Sequence, residues 1–183
     1  MAKVSIFIAN GFEEIEGLTV VDILRRANVT IQMVSITGDL FVTGSHQITV
    51  KTDVLFEDAD FSDSDMLVLP GGMPGTKNLA GHTGLDRLLK EFHGKGSKIS
   101  AVCAAPSVLG AKGLLQGKRA TCFPGFEEAL TGAMVVNDAV VTDGTIITSR
   151  GMGTAIDFSL AILESLTDKA AAEKISQSIQ YAR

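Results

Sequence analysis

A cysteine framed by small residues is the feature of this sequence that most directly suggests chemistry. Cys103 stands in the run Ala101-Val102-Cys103-Ala104-Ala105, after a β-rich segment and before a helical one. A nucleophile on a sharp strand-to-helix turn needs small neighbours, because larger side chains collide there. The free N–H groups at a helix start also lower the pKa of a nearby thiol. The pattern favours a reactive thiol, with a buried packing cysteine as the alternative.

A glycine-rich loop offers backbone donors at the end of another predicted strand. It reads Pro70-Gly71-Gly72-Met73-Pro74-Gly75. Glycine lets backbone N–H groups approach a ligand closely, so such a loop can stabilise an oxyanion opposite a nucleophile. The alternative is a simple tight turn. The loop lacks the Gly-Lys-Ser/Thr ending of a P-loop, and no G-x-G-x-x-G follows the first strand, so a nucleotide site is disfavoured.

Three carboxylates, Glu13, Glu14 and Glu16, cluster where a helix is predicted to begin. Acids in a first turn are stabilised by the helix dipole while they remain solvated. One of them could instead point inward over the strand ends. A desolvated acid there would stay protonated and could hydrogen-bond a thiolate. The residues alone leave open which of the three does so.

The other cysteine and the histidines show no catalytic or metal-binding spacing. We interpret Cys122, in a predicted strand, as a packing residue. His46, His82 and His93 all precede Cys103, whereas a Cys-His-Asp/Glu triad of the amidotransferase type normally takes its histidine after the cysteine. We expect His82 and His93 to be solvated beside a surface helix. No ligand spacing for a metal is present.

Composition narrows the class of protein. The chain has 183 residues, 45% of them hydrophobic, and a net charge of −5. We expect a single domain over 1–183 with a folded surface of roughly 8,400 Å². The charge argues against a general nucleic-acid binder, no apolar run suffices for a membrane span, and no secretion signal is evident. Two cysteines without an export signal favour reduced thiols and a cytoplasmic location.

The elements that must position these residues alternate between apolar strands and amphipathic helices. The predicted strands cover 4–9, 29–37, 66–69, 98–102, 118–123, 135–136, 139–142 and 145–148, with a hairpin or arm over 40–50. The predicted helices cover about 13–26, 83–92, 104–111, a stretch starting at Thr154 with Asp157 in a capping box, and 168–180. Ile15, Leu18, Val21 and Leu24 are expected to form the apolar face of the first helix. This alternation predicts a mostly parallel α/β sheet with its ligand site at the carboxyl ends of the strands.

Five stretches together resemble the ThiJ/PfpI superfamily, in its DJ-one branch, along essentially the whole chain. They are Gly11-Phe12-Glu13-Glu14-Ile15-Glu16, Val21-Asp22-Ile23-Leu24-Arg25-Arg26-Ala27, Leu69-Pro70-Gly71-Gly72, Ala101-Val102-Cys103-Ala104-Ala105-Pro106 and Thr148-Ser149-Arg150-Gly151-Met152-Gly153-Thr154. The resemblance implies a flavodoxin-like three-layer sandwich of the class I glutamine amidotransferase kind, and a homodimer.

The resemblance also implies roles for individual residues. It maps the family's reactive cysteine onto Cys103 and its buried glutamic acid onto Glu16. The N–H groups of Gly72 and Ala104 would form an oxyanion or anion pocket, in a turn shaped by Gly71.

Two further positions are implied near the pocket or a dimer contact, and the chain departs from its relatives at two places. Arg26 matches a family arginine there, and a second arginine of some relatives falls at His46. Phe123 stands where many relatives carry a histidine beside the cysteine. Both departures bear on anion affinity and on any mechanism that needs a histidine base.

These residues are consistent with two classes of function. In the first, Cys103 and Glu16 convert small 2-oxoaldehydes such as methylglyoxal into 2-hydroxy acids without glutathione (glyoxalase III), or hydrolyse glycation adducts (deglycase), with no cofactor. In the second, the chain is a non-enzymatic redox sensor or chaperone-like stress protein that works through oxidation of Cys103. A peptidase or amidotransferase is disfavoured by the missing downstream histidine.

Overall fold

The computed structural model describes residues 2–181, so the outermost residues of the expected 1–183 domain lie outside the described part. Its strands are β1 (Lys3–Ile8), β2 (Thr30–Ser35), β3 (Phe41–Thr43), β4 (Thr49–Lys51), β5 (Val54–Leu55), β6 (Met66–Leu69), β7 (Lys98–Val102), β8 (Arg119–Ala120), β9 (Met134–Val135), β10 (Val140–Asp143) and β11 (Ile146–Ser149). Its α-helices are α1 (Glu14–Arg26), α2 (Gly75–Gly81), α3 (Thr83–Gly94), α4 (Pro106–Ala111), α5 (Ala155–Leu166) and α6 (Lys169–Ser178).

A seven-stranded sheet within the described residues forms the middle layer, in the order β10-β11-β7-β6-β1-β2-β5. Every neighbouring pair is parallel except the hairpin of β10 with β11. β6 and β11 are buried along their whole length, as strands covered on both faces must be. The predicted mostly parallel sheet is confirmed.

Helices cover both faces of the sheet, so the architecture is the expected three-layer sandwich. One apolar core joins the sheet to α1, α5 and α6. The second core, on the other face, joins it to α3, α4 and Leu79 of α2. The accessible surface is 8121 Å², close to the roughly 8,400 Å² expected from chain length.

Several predicted elements differ from the observed ones. The strand expected over 118–123 is confined to β8, Arg119–Ala120. The short α2 and β5 were not predicted, because α2 carries glycine at both ends and a single buried leucine, which gives no helical periodicity. Asp157 forms no capping box with Thr154; its Oδ2 instead accepts a hydrogen bond from the Tyr181 hydroxyl at 2.8 Å.

In the first turn of α1 the apolar residue is exposed and two acidic residues are buried, which is the opposite of the expected arrangement. Ile15 was expected on the buried face, yet its side chain is 51% exposed. Glu14 and Glu16, on either side of it, are 2% and 1% exposed. The buried apolar residues of the helix are Val20, Val21, Ile23 and Leu24, so the prediction is confirmed for Val21 and Leu24. The helix therefore places two acids inside the protein where it leaves the sheet.

None of the helices within residues 2–181 combines the length and the apolar character that crossing a bilayer requires.

Candidate active site

Cys103 lies on a sharp turn between β7 and α4. Its φ angle is +64°, in the left-handed region that non-glycine residues rarely adopt. Its amide donates to the Ser149 carbonyl at 3.0 Å, and its carbonyl accepts from the Phe123 amide at 2.8 Å. Pro106 occupies the first turn of α4, where proline is tolerated. The predicted strand-to-helix elbow is confirmed, and it leaves the thiol partly exposed.

Glu16 is the carboxyl that points inward over the strand ends. It lies in the first turn of α1, and Glu13 caps that turn by accepting from the Glu16 amide at 2.7 Å. Glu16 Oε2 accepts from the Gly71 amide at 2.9 Å. Its other oxygen, Oε1, is buried and has no hydrogen-bond partner within residues 2–181. The site thus contains a buried carboxyl oxygen that is free to meet a substrate or a proton.

The glycine loop after β6 brings Cys103 and Glu16 together. A Cβ atom on Gly71 would lie 2.5 Å from Cys103 Cβ and 2.6 Å from Glu16 Oε2, so no larger residue fits between them. The backbone N–H groups of Gly72 and Ala104 lower the pKa of Cys103 and so favour its thiolate form. The structure therefore places Gly71, Gly72 and Ala104 around the thiol, and their role as an oxyanion pocket stays a prediction.

Glu16 and Cys103 share one negative charge rather than holding one each. Burial, reinforced by the charge of Glu13, raises the pKa of Glu16 to about 7, although the Cys103 thiol and the Gly71 amide oppose the rise. Burial and the charge of Glu16 raise the pKa of Cys103 to about 12, against the effect of the two backbone donors.

The expectation that the helix start would lower the thiol pKa is therefore wrong in its net direction. Desolvation and the neighbouring carboxylate outweigh the backbone donors. The pair loses its first proton near pH 7 as a unit. A thiolate can then form when the Glu16 carboxylate takes up the thiol proton.

His46 and Glu14 form a separate contact beside the site. Glu14 Oε1 accepts from the His46 amide at 2.8 Å, and Oε2 lies 2.9 Å from His46 Nδ1. These bonds hold the β3–β4 hairpin against the start of α1, while the His46 side chain stays 68% exposed. Glu13, Glu14 and His46 have ligand types and spacing that could hold a cation. The hydrogen bonds that Glu14 already accepts account for this arrangement without one.

Arg26 does not belong to the pocket of its own chain. It lies at the opposite end of α1 from Glu16, about 15 Å away at the rise of a helix. Its Nε pairs with Asp22 Oδ2 at 2.6 Å, and its side chain is half exposed. Its expected part in a pocket is therefore wrong within one chain, whereas a dimer contact stays a prediction.

Two residues of the site, Phe123 and Gly151, were not assigned a role from the sequence. A Cβ atom on Gly151 would lie 3.2 Å from Phe123 Cδ2 and 3.7 Å from Glu16 Oε1, so Gly151 borders the free carboxyl oxygen and the Phe123 ring packs against Gly151. Gly151 lies in the loop after β11, at the sheet edge expected to bind ligands. The sequence therefore indicated Gly151 only through the position of its loop, which follows a strand at the edge of the sheet expected to bind ligands.

Cys122 and His82 have structural roles, in core packing and in helix capping. Cys122 is 2% exposed in the apolar core and forms no disulfide, which confirms it as a packing residue. His82 was expected to be solvated, and this is wrong: its Nδ1 caps α3 by accepting from the Leu85 amide at 3.0 Å. Its ring packs edge-on against Phe56 at 4.5 Å.

Comparison with known proteins shows relatives along the whole chain. The DJ-1/PfpI family model matches residues 2–165. Protein DJ-1 homolog B of Arabidopsis thaliana is 38% identical over 95% of this chain, which spans 40% of that relative's length. Glutathione-independent glyoxalase DJR-1.2 of Caenorhabditis elegans is 34% identical over 73% of this chain and 80% of its own length.

A solved structure gives the same result. Toxoplasma gondii DJ-1, in an oxidized form, superposes with a TM-score of 0.96 at 34% identity over 100% of both chains. Sequence and fold agree along nearly the full length, and the chain belongs to the DJ-1/PfpI family.

Proposed function

We propose that this protein is a cysteine-dependent enzyme that converts small 2-oxoaldehydes, such as methylglyoxal, into 2-hydroxy acids without glutathione. The observation that carries the proposal is the buried Glu16 carboxyl beside the Cys103 thiol. Its pKa is about 7, and its Oε1 has no hydrogen-bond partner within the described residues. A catalytic acid–base group works best when its pKa is near the working pH. The name of the Caenorhabditis elegans relative, a glutathione-independent glyoxalase, supports the same chemistry.

The first step joins the substrate to the protein. The Glu16 carboxylate takes the proton of the Cys103 thiol, and the sulfur attacks the aldehyde carbon, C1. The C1 oxygen gains the negative charge, is held by the N–H groups of Gly72 and Ala104, and then takes the proton from Glu16, which gives a hemithioacetal and restores the Glu16 carboxylate. Donors placed where charge develops lower the barrier of such additions.

The second step moves a proton between the two carbon atoms. Glu16 removes the hydrogen of C1, forming an enediol, and returns a proton to C2. C1 is thereby oxidised to a thioester while C2 is reduced to an alcohol, so no outside oxidant or reductant is needed. Water then hydrolyses the thioester, which releases the 2-hydroxy acid and restores the thiol. Early glycation adducts on Cys, Lys and Arg side chains would be hydrolysed by the same thiol.

The experiment is an assay without glutathione that measures lactate formed from methylglyoxal. Wild type should produce lactate, and Cys103→Ala should reduce the rate to background. Cys122→Ala is the matched control, because that thiol is buried away from the carboxyl, and it should retain the activity. Lactate formation that is equal in wild type and Cys103→Ala would refute the proposal.

A second candidate is a redox sensor or chaperone-like stress protein that works through oxidation of Cys103. The relative from Toxoplasma gondii was solved in an oxidized form. A protonated Glu16 would donate a hydrogen bond to a sulfinate on Cys103 and so favour that oxidation state. Mass spectrometry after mild peroxide treatment should then find two added oxygens on Cys103 and none on Cys122. Equal oxidation of both cysteines would contradict this role.

The same residues also indicate the cellular location and the partners that either activity would have. We propose protection against carbonyl and oxidative stress in the cytoplasm, where the two free thiols would remain reduced. The partners would be small aldehydes or glycated groups and a second copy of the chain. A net charge of −5 does not favour nucleic acid.

A further inference from the structure

Glu13, one of the three carboxylates at the start of α1, has no part in the reaction steps above, yet it closes a ring of hydrogen bonds beside the thiol. Its amide donates to the Gly71 carbonyl at 2.9 Å. The Gly71 amide donates to Glu16 Oε2 at 2.9 Å, and the Glu16 amide donates to Glu13 Oε2 at 2.7 Å. Each of the three residues therefore holds the other two.

This ring fixes Glu16 at both its backbone and its side chain. The Glu13 carboxylate holds the Glu16 amide, and the Gly71 amide holds the Glu16 carboxyl. Glu13 has the extended backbone of a helix cap, with φ −83° and ψ 119°. Its side chain is only 13% exposed, so the carboxylate is turned to the protein rather than to solvent. Removing that carboxylate would release one of the two contacts that orient Glu16.

The negative charge of Glu13 acts on Glu16 more than on Cys103. Burial is the largest influence that raises the pKa of Glu16, and the charge of Glu13 adds to it. The raised pKa of Cys103 comes from burial and then from Glu16. A neighbouring like charge makes a carboxylate a stronger base. When the pair holds one proton, a more basic Glu16 keeps that proton on oxygen and leaves the charge on sulfur more often.

The cationic groups nearby do not hydrogen-bond to Glu13 within the described part of the chain. His46 of the β3–β4 hairpin lies 3.9 Å from Glu13 Oε1, but its Nδ1 lies closer, at 2.9 Å, to Glu14 Oε2. Arg150, in the loop after β11, donates to the uncharged Oδ1 of Asn137 at 3.1 Å. The charge of Glu13 can therefore act on the buried pair without a hydrogen-bonded cation to offset it.

We propose that Glu13 is a positioning residue for the Cys103–Glu16 pair. Its carboxylate holds the first turn of α1 so that Glu16 faces the thiol, and its negative charge favours transfer of the thiol proton to Glu16. The inference rests on the proposed function for its catalytic consequence. Glu13 itself contacts neither the sulfur nor the substrate in this scheme, and its whole effect passes through Glu16.

The test measures the rate at which iodoacetamide alkylates Cys103 between pH 5 and 9, since the thiolate displaces iodide in a step that needs no turnover. In wild type the rate should rise through an apparent pKa near 7. Glu13→Gln keeps a capping oxygen but removes the charge, and should lower that apparent pKa by about 0.5 to 1. The rate on the plateau above pH 8 should fall about threefold to tenfold, because Glu16 is then a weaker base.

Two further variants separate charge from position. Glu13→Ala removes the cap as well, and should lower the plateau rate about tenfold more than Glu13→Gln, since misplacement of a reacting group is costly. Asp168→Asn is the matched control, because Asp168 is another exposed acid whose side chain caps a helix, accepting from the Ala171 amide at 2.8 Å. The 12 residues of α5 separate it from the site by about 18 Å, and it should leave the profile unchanged.

The same variants are assayed for lactate formation from methylglyoxal, which separates the two proposals. An alkylation profile that Glu13→Gln leaves unchanged, with Cys103-dependent turnover intact, would overturn the inference while the proposed function stands. An equal shift in Asp168→Asn would also overturn it, since net charge alone would then be the cause. Equal rates in Glu13→Ala and Glu13→Gln would contradict the positioning role. A shifted profile without any turnover of methylglyoxal would overturn the proposed function and support the action of Glu13 on the pair.

Discussion

At the residue scale, the Glu16 carboxyl and the Cys103 thiol compete for a single negative charge. Both pKa values are raised by burial, to about 7 and about 12 respectively. The thiol is therefore activated by proton transfer to its neighbour rather than by a low pKa of its own. This differs from activation by a histidine base, because the proton acceptor is a carboxylate.

The first prediction concerns the pH dependence of this pair. Wild-type kcat/KM should rise with pH through an apparent pKa near 7 and then level off, because Glu16 must be ionised to accept the thiol proton. Glu16→Gln cannot accept it and should lose about 10²- to 10⁴-fold in rate. Steady-state kinetics between pH 5 and 9 measure both. An unchanged inflection in Glu16→Gln would contradict the assignment.

The second prediction concerns the close approach at Gly71. Gly71→Ala should abolish turnover and destabilise the fold by about 1–3 kcal/mol, because its methyl group would overlap both Cys103 and Glu16. Gly94→Ala, at the end of α3, has nothing within 4 Å and is the matched control. It should keep full activity and be neutral or slightly stabilising. Urea denaturation and the lactate assay distinguish the two variants; an active Gly71→Ala would refute the close contact.

At the element scale, the N-terminal ends of α1 and α3 are held by hydrogen bonds to polar side chains. The start of α1 turns Glu16 inward because Glu13 caps it and the β3–β4 hairpin covers Glu14. The start of α3 is capped by His82 through a ring nitrogen, which accepts a hydrogen bond only while it is unprotonated. The cap of α3 therefore depends on the protonation state of His82.

The third prediction follows from the cap of α3. Burial lowers the pKa of His82, although Glu57 opposes this, so the unfolded chain binds the proton more readily than the folded one. Stability from this group is present above pH 6.5 and is lost as the pH falls through the folded pKa. Wild type should lose about 1 kcal/mol relative to His82→Asn, whose amide oxygen caps at any pH, between pH 7.5 and 5.

Urea denaturation of both proteins at the two pH values measures that difference. His93→Asn is the control, since His93 is exposed in the last turn of the same helix and caps nothing at its start. It should not reproduce the change seen with His82→Asn. A pH-independent difference between wild type and His82→Asn would show that the ring nitrogen is not the cap.

At the scale of the whole molecule, the sheet brings the site residues together, and an apolar groove lies outside the site. The loops after β1, β6, β7 and β11 meet at the same sheet edge, because the strands are parallel. Away from that edge, a groove between α1 and the α5–α6 pair is lined by Ile15, Leu18, Ile23, Arg26, Ile156 and Ile179. Partly exposed apolar surface of this kind suits a subunit contact.

The fourth prediction is therefore that the protein is a homodimer through this groove. Light scattering coupled to size exclusion should give twice the 19.2 kDa chain mass, and Ile15→Glu should shift the protein to monomer. Met134→Glu is the matched control, because Met134 is 61% exposed on β9 and outside the groove. A monomeric wild type, or a dimer unaffected by Ile15→Glu, would contradict the prediction.

Some residues of the site could be predicted from the sequence, and others could not. The elbow at Cys103 was predictable because its signal is local: a cysteine at the end of an apolar strand with small residues on both sides. The choice among Glu13, Glu14 and Glu16 was not predictable from the residues alone, since all three favour a helix start equally. The family resemblance selected Glu16, and the structure places it against the thiol.

The sequence by itself determined the alternation of buried strands and helices, and with it the parallel sheet and the edge where the site lies. Only the tertiary structure decided the protonation of the site. The pKa of Glu16 depends on desolvation by segments far apart in the chain, among them the loops that contain Gly71, Cys103 and Gly151. Local patterns specify strands and turns, whereas burial and electrostatics are sums over neighbours that only folding brings together.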